Sequence, residues 1–229
     1  MKRFFIPALA VVGALIVVTA AIAADQIVGC KESHRNHDDM IVFPAQPGAS
    51  HEHVYAGARS NNAFSTVDSL KASGTTCDDS GDTAGYWTPT FLAGYPIHPN
   101  KGALFYYTFN GTQFPAGLKM IVRWSTPGNR VLFKCGPGSN TETRTPPASC
   151  GSGMLVPVVT FPTWWNGQLD SPDHLSHMSY SRTATHNRQL PKLKVYWRTA
   201  VPAGAPINTN LSSGDYTTFH MDFVSTGAI

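Results

Sequence analysis

The sequence of 229 residues predicts an all-β protein: a single-domain, antiparallel β-sandwich of jelly-roll-like form that is loop-rich and disulfide-bonded. Beyond residue 24, short β-branched and aromatic runs alternate with turn residues, and no helical apolar period is sustained. The 20 glycines and 17 prolines favour many turns over a helical bundle. Charged residues make up 14% of the chain, against roughly 25% in a typical soluble domain, which excludes a disordered or coiled-coil protein.

The predicted elements follow one another along most of the chain. The strands are expected at residues 40–43, 104–109, 118–124, 131–134, 154–161, 193–198 and 216–224. One short helix is expected near residues 66–73, because Thr66 offers a hydroxyl at its start and Gly74 ends it. Since no internal repeat or long linker divides the chain, we expect residues 24–229 to form one β-rich domain.

The first segment, residues 1–23, is predicted to be a secretory signal peptide. Lys2 and Arg3 precede an uncharged stretch that ends in the small-residue exit Ala21-Ile22-Ala23. An uncleaved membrane anchor is the alternative, since about 20 apolar residues can span a bilayer. We expect secretion, with no membrane attachment once this segment is removed.

The charge balance gives little indication of a charged partner. The formal net charge is only +3, and its carriers are dispersed along the sequence. Nucleic-acid binding requires a clustered basic face, so we expect no nucleic-acid partner. We expect the protein to be a monomer.

The four cysteines of an exported chain predict two disulfides, because the extracellular compartment is oxidising. Three connectivities are open to four cysteines, and the sequence alone does not choose among them. We favour a bond between Cys135 and Cys150, which would close a short Gly/Pro/Thr-rich loop, and a second bond between Cys30 and Cys77. A thiol metal site is disfavoured because the chain has no C-x-x-C pair.

Several of the nine histidines stand in short patterned motifs. His51 and His53 are two residues apart, so on a strand both rings point to one face while Glu52 points to the other. His220 and Asp222 repeat this spacing near the C-terminus. Imidazole and carboxylate groups bind first-row metals, and we expect one divalent transition metal such as zinc, copper or iron. The predicted ligands are His51, His53, His174, His177 and His220.

Two alternatives to a metal site remain open at this point. The histidines could have purely structural roles, or a metal-free glycoside hydrolase could use carboxyl groups, for which the candidates are Glu52, Asp173 and Asp222. Exposed rings of Trp164 and Trp165 could stack on a sugar. The expected function is therefore a metal-dependent enzyme that acts on extracellular glycan or polymer, with a non-catalytic binder of cell-wall polysaccharide as the contrasting class.

Four ordered segments resemble a secreted microbial family known only as a domain of unknown function, number nineteen ninety-six. Its members occur in fungi, sometimes attached to WSC carbohydrate-binding modules, and in filamentous bacteria. The matching segments are residues 50–57, 76–89, 161–178 and 220–223. The resemblance implies that the histidine motifs belong together, but it implies no reaction and no catalytic residues.

The chain departs from this family at one pair of positions. Similar members have a cysteine where this chain has Trp164, and a Cys-Pro pair where it has Arg182-Thr183. Because both expected cysteines are missing together, as the loss of one disulfide requires, the alignment holds. The departure puts in doubt the rigidity of the loop over residues 164–182.

Overall fold

A computed structural model describes residues 25–136 and 139–227. The predicted signal peptide, residues 1–23, lies outside the described residues. In chain order the elements are β1 (Gln26–Cys30), β2 (Glu32–Asn36), β3 (His53–Gly57), α1 (Val67–Ala72), β4 (Gly85–Pro89), β5 (Ala103–Thr108), β6 (Lys119–Arg123), β7 (Val131–Cys135), β8 (Met154–Thr160), β9 (Trp164–Trp165), β10 (Met178–Ser179), β11 (Arg188–Gln189), β12 (Lys192–Tyr196), β13 (Thr199–Ala200) and β14 (His220–Val224), with a 3₁₀ turn at Tyr216–Thr218.

The strands form two large antiparallel sheets and one small sheet. The six-stranded sheet has the order β1-β5-β12-β8-β13, with β7 also paired to β8, and the five-stranded sheet has the order β2-β3-β4-β14-β6. The small sheet has the order β10-β9-β11. This architecture confirms the predicted all-β class. No helix in the described part of the chain has the length and apolar character that a membrane crossing needs.

The two large sheets share one hydrophobic core, as in a sandwich. Val28, Phe105 and Val195 enter it from the six-stranded sheet. From the five-stranded sheet come alternate residues such as Tyr86 and Phe223, and the rings of Tyr86 and Phe105 lie 4.0 Å apart between centroids. Because side chains alternate across a strand, the residues between these core positions point outward from the five-stranded sheet.

Both disulfides form as the favoured pairing predicts: Cys30 bonds to Cys77, and Cys135 bonds to Cys150. The predicted helix is also confirmed, and Thr66 caps it by accepting a hydrogen bond from the Ser69 backbone N–H. Most of the predicted later strands are present within a few residues of their expected bounds.

The predicted strand over residues 40–43 is wrong, because this segment is a series of buried and half-buried turns. The side chain of Asp39 accepts hydrogen bonds from the backbone N–H groups of Ile41 and Val42, at 2.8 and 2.9 Å. In a strand, these N–H groups would form hydrogen bonds with a neighbouring strand. Because the Asp39 carboxylate accepts them, it stabilises a turn in place of a strand. Met40 and Ile41 then pack on the outer face of the five-stranded sheet.

A buried carboxyl group lies at the edge of the core. Asp82 accepts hydrogen bonds from the hydroxyls of Tyr86 and Tyr107, at 2.8 and 3.1 Å, and all three side chains are buried. Burial raises the pKa of Asp82 to about 6, against the lowering effect of these hydrogen bonds. The folded protein therefore holds this proton more tightly than the unfolded chain does.

This pKa predicts a pH-dependent stability that Asp82→Asn removes. Because the pKa of Asp82 is raised in the folded state, its contribution to stability is present at low pH and is lost as the pH rises from about 4 to about 6, by up to about 3 kcal/mol. The measurement is urea unfolding of both proteins across this range. The wild type should lose stability relative to Asp82→Asn as the pH rises, and a constant difference between the two would contradict the assignment.

Candidate metal centre

The candidate site lies on the outer face of the five-stranded sheet, where β3 and β14 lie on either side of β4. His53 is the first residue of β3, and His220 and Asp222 alternate with the core residue Met221 on β14. Beyond them on the same face, Tyr55 and Trp87 pack with Met40, Ile41 and Leu70 from the covering turns and helix α1. The site is therefore enclosed between the sheet and the segment that precedes β3.

Three histidines converge at this position. One ring nitrogen from each of His51, His53 and His220 lies within 4.8 Å of the corresponding atoms of the other two. The Nε2 atoms of His53 and His220 are 3.3 Å apart. Two nitrogens bound at about 2.0–2.1 Å to one tetrahedral ion are separated by about 3.3 Å, so this spacing fits two ligands of the same ion.

The other ring nitrogens determine which atoms face the centre. Nδ1 of His53 donates to the Asp38 carbonyl, and Nδ1 of His220 donates to the Thr218 carbonyl, both at 3.0 Å. Since each neutral ring carries its proton on Nδ1, both Nε2 lone pairs point inward. Such bonds to backbone carbonyls commonly orient metal-binding histidines. Nε2 of His51 is buried and has no hydrogen-bond partner among the described residues.

Two buried carboxyl groups adjoin the histidines. One oxygen of Asp222 lies 3.6 Å from Nε2 of His220, and neither oxygen of Asp222 finds a hydrogen-bond partner within the described residues. Asp39, His53 and Asp222 form a second group whose possible ligand atoms are all within 4.8 Å of one another. A fully buried carboxyl group without a partner is costly, and a bound cation is one way to compensate for it.

Burial shifts the pKa values of these groups towards their neutral forms. It lowers the pKa of His220 to about 4, and it lowers the pKa of His53 well below the usual value, helped by the charge of His220. Burial also raises the pKa of Asp222 well above its usual value, and Asp39 nearby adds to the rise. The imidazoles are thus neutral near pH 7, which is the form that binds a metal.

A cavity of about 180 Å³ reaches the cluster from one side. Its lining includes His51, His220, Asp222, Asp39 and Arg123. Glu52 is not among the described residues that line it. Arg123 comes from β6 and pairs in register with His220. A molecule in this cavity would meet the imidazole and carboxyl groups directly.

The structure places the other two predicted ligands outside this cluster. Nε2 of His177 donates to the Lys119 carbonyl at 2.6 Å, and its Nδ1 is hydrogen-bonded with the Ser171 hydroxyl at 2.9 Å. His174 contacts Asp170 instead, with Nδ1 2.9 Å from a carboxylate oxygen. Both ring nitrogens of His177 are therefore engaged within the fold.

The geometry predicts a structural role for His177. We expect His177→Gln to lower the free energy of unfolding by about 1–3 kcal/mol, because a buried side chain loses a hydrogen-bond partner. The number of metal equivalents bound should not change. The measurement is urea unfolding paired with metal analysis, and loss of metal from a folded His177→Gln protein would contradict this assignment.

The remaining candidates lie in the loops after β8. Asp173 accepts hydrogen bonds from the backbone N–H groups of Leu175 and Ser176, which stabilise a turn and hold its pKa far below the usual value. Trp164 and Trp165 are half-buried in β9. The guanidinium groups of Arg182 and Arg188 lie 5.9 and 5.5 Å from their respective ring centres.

The family model described as "Domain of unknown function (DUF1996)" matches residues 39–226. The chain belongs to this family. No curated protein and no solved structure matches the chain.

All the groups that meet at the candidate centre lie within the matched part of the DUF1996 chain. At the position where the resemblance implies a lost disulfide, the structure brings Trp164 and Arg182 together. This contact supports the alignment of the segment. Sequence reasoning missed Asp39 and Arg123 as neighbours of the site, because neither has a motif and only the strand register places Arg123 beside His220.

Proposed function

We propose that this DUF1996 protein binds one divalent transition metal through His51, His53 and His220, with Asp222 as the fourth ligand. The observation that carries the proposal is the pair of inward-facing Nε2 atoms of His53 and His220, 3.3 Å apart, each oriented by a backbone carbonyl. Three imidazoles and one carboxylate suit zinc, copper or iron.

The adjoining cavity favours a catalytic centre over a purely structural one. Structural zinc sites are closed by four protein ligands, whereas at a catalytic site water or substrate must also reach the ion, here either as a fifth ligand or in place of the Asp222 carboxylate. The cavity of about 180 Å³ would admit such a molecule beside the ligands. An ion held there would act as a Lewis acid on an oxygen of the substrate. Arg123, at the cavity wall, would orient a negatively charged group of that substrate.

We further propose that the protein is secreted and acts on an extracellular glycan or polymer. The two disulfides support export, because such bonds persist in oxidising compartments. The basic start and small-residue exit of the first 23 residues support it from the sequence.

The test is a metal titration of residues 24–229 after removal of bound ions by a chelator. We expect the wild type to bind one equivalent of Zn²⁺ or Co²⁺, and cobalt to give the intense visible absorption of a tetrahedral site. His53→Gln and His220→Gln should each weaken binding by about 100-fold or more. The matched control is His186→Gln, because His186 contacts Ser176 in a surface loop.

Circular dichroism of each variant separates loss of metal from loss of fold. A folded wild type that binds less than half an equivalent of either ion would overturn the proposal. Equal binding by the wild type and His53→Gln would overturn the ligand assignment.

A further inference from the structure

A run of three neighbouring cavities leads away from the candidate metal centre. The first, of about 660 Å³, shares Ile121 and Arg123 with the cavity at the histidines. The second, of about 400 Å³, shares Arg130 and Tyr180 with the first. The third, of about 200 Å³, shares Tyr106 and Tyr196 with the second. Each cavity thus shares two lining residues with the next.

The lining of these three cavities is basic. Six cationic side chains contribute to it: Arg123, Arg130, Lys134, Lys192, Lys194 and Arg198. No Asp or Glu among the described residues lines any of the three cavities. We call this surface the basic track. The formal net charge of the whole chain is only +3, so positive charge is concentrated here beyond the average of the surface.

Several of these cations are not neutralised by the protein. The Nε atoms of Arg130 and Arg198 are buried without a hydrogen-bond partner among the described residues. Arg123 is exposed at the junction with the metal centre. Lys194 is the exception, since its Nζ lies 3.4 Å from a carboxylate oxygen of Glu142. Among the described residues no carboxylate lies within ion-pair distance of Arg123, Arg130 or Arg198, so an anionic ligand in these cavities would supply the missing counter-charge.

The strand geometry explains why part of the track is continuous. Lys192, Lys194 and Tyr196 alternate with the core residues Leu193 and Val195 on β12, so all three face outward from the six-stranded sheet. Tyr106 of β5 stands opposite Lys194 in the register. The sheet therefore presents a row of cations and aromatic rings rather than a single pocket.

The aromatic rings favour an acidic glycan over a nucleic acid. Single-stranded nucleic acids bind by stacking bases on open aromatic faces. Here the Arg130 guanidinium covers the Tyr180 ring at 4.0 Å, and Lys134 and Lys194 lie 5.2 and 5.1 Å from the centre of the Tyr196 ring. The rings of Tyr180 and Tyr196 hold these cations in place by cation–π contacts. Because the cations cover the ring faces, a ligand would contact the cations and not the rings.

We infer that the basic track binds a carboxylated polysaccharide of the polyuronate type and leads it to the metal centre. Guanidinium groups pair with carboxylates in a bidentate manner, which suits a chain with one carboxylate on each sugar. The inference names the substrate class for the proposed function and rests on it only for the last step, in which a sugar reaches Arg123 beside the ion.

The test measures binding of octagalacturonate to the protein by calorimetry, with and without Zn²⁺. The neutral control ligand is the fully methyl-esterified octamer. We expect the acid to bind at least about tenfold more tightly than the ester and to weaken as salt is added. Arg123→Gln combined with Arg130→Gln should weaken binding of the acid by at least about tenfold, and so should Lys192→Gln combined with Lys194→Gln. Lys71→Gln on α1 is the matched control and should bind as the wild type does.

The two proposals can fail separately. If the track binds the acid in zinc-free protein while zinc titration shows no site, the track stands and the metal centre falls. Equal affinity for the acid and its ester, or no effect of the paired substitutions in folded protein, would overturn the track. Tighter binding of a single-stranded DNA oligomer than of octagalacturonate would also overturn it in favour of a nucleic-acid partner.

Discussion

Asp222→Asn is expected to make the metal-free protein more stable and the metal-loaded protein less stable than the wild type. Asp222 is fully buried, and neither of its oxygens has a partner among the described residues. Burial raises its pKa well above the usual value, so near neutral pH the folded state carries either a costly charge or a bound proton. An amide of the same shape is neutral without taking up a proton, and its NH₂ group can donate to Nε2 of His220, 3.6 Å from an Asp222 oxygen, so we expect a gain of about 1–2 kcal/mol without metal.

When zinc is bound, the expected effect of Asp222→Asn on stability has the opposite sign. A carboxylate neutralises part of the ion's charge and an amide does not, so we expect zinc to bind about 100-fold more weakly to Asp222→Asn. By mass action, zinc at a concentration that saturates the wild type then stabilises the variant by about 2–3 kcal/mol less.

The measurement is thermal unfolding of both proteins with chelator and with excess zinc. Asp68→Asn, an exposed substitution in the first turn of α1, is the control and should behave alike in both conditions apart from a small helix-end effect. If Asp222→Asn is destabilised equally with and without zinc, the carboxylate has a structural role only.

Removal of the Cys30–Cys77 bond is expected to be the most destabilising change away from the site. This bond joins β1 of the six-stranded sheet to the loop before β4, across a separation of 47 residues. A loop of this length contributes about 4 kcal/mol in the chain-entropy treatment. The segment between these two cysteines contains His51, His53 and the turns that cover the site. Removing the bond therefore also removes one constraint on those turns.

The control is removal of the Cys135–Cys150 bond, whose separation is 15 residues and whose loop contains no candidate ligand. We expect that change to cost about 3 kcal/mol and to leave zinc affinity as in the wild type. The comparison uses paired Cys→Ala variants in urea unfolding with and without zinc. A larger loss from the Cys135–Cys150 pair, or no loss from the Cys30–Cys77 pair, would contradict the assignment.

Local periodicity predicted half of the candidate site. The two-residue spacing of His51 and His53, and of His220 and Asp222, indicates a shared face for each pair. The structure brings both pairs together at one face of the sheet, although His51 precedes the first residue of β3. The spacing does not predict the order of the strands in the sheet. Only the position of β4 between β3 and β14 brings the two pairs together, and strand order depends on contacts between distant segments.

The predicted strand over residues 40–43 failed for a physical reason. The run Met40-Ile41-Val42-Phe43 has the β-branched and aromatic composition of a strand. The Asp39 side chain nevertheless accepts hydrogen bonds from the backbone N–H groups of Ile41 and Val42, and the segment forms turns that cover the site. His174 and His177 form a pattern as strong as that of the converging histidines, but in the structure their rings contact Asp170, Ser171 and the Lys119 carbonyl instead of the candidate centre. The β4 strand was missed because it is bounded by Gly85 and Pro89, which read as turn residues.

The position of β14 has a consequence for when the centre can form. This strand follows every other strand of the described residues, yet it lies between β4 and β6 in the sheet and supplies His220. His53 and His220 are separated by 167 residues, so no early folding intermediate lacking the last strand holds the complete ligand set. If the protein binds a metal as proposed and is exported unfolded, the ion would be acquired only after translocation is finished, from the supply outside the cell rather than the one inside.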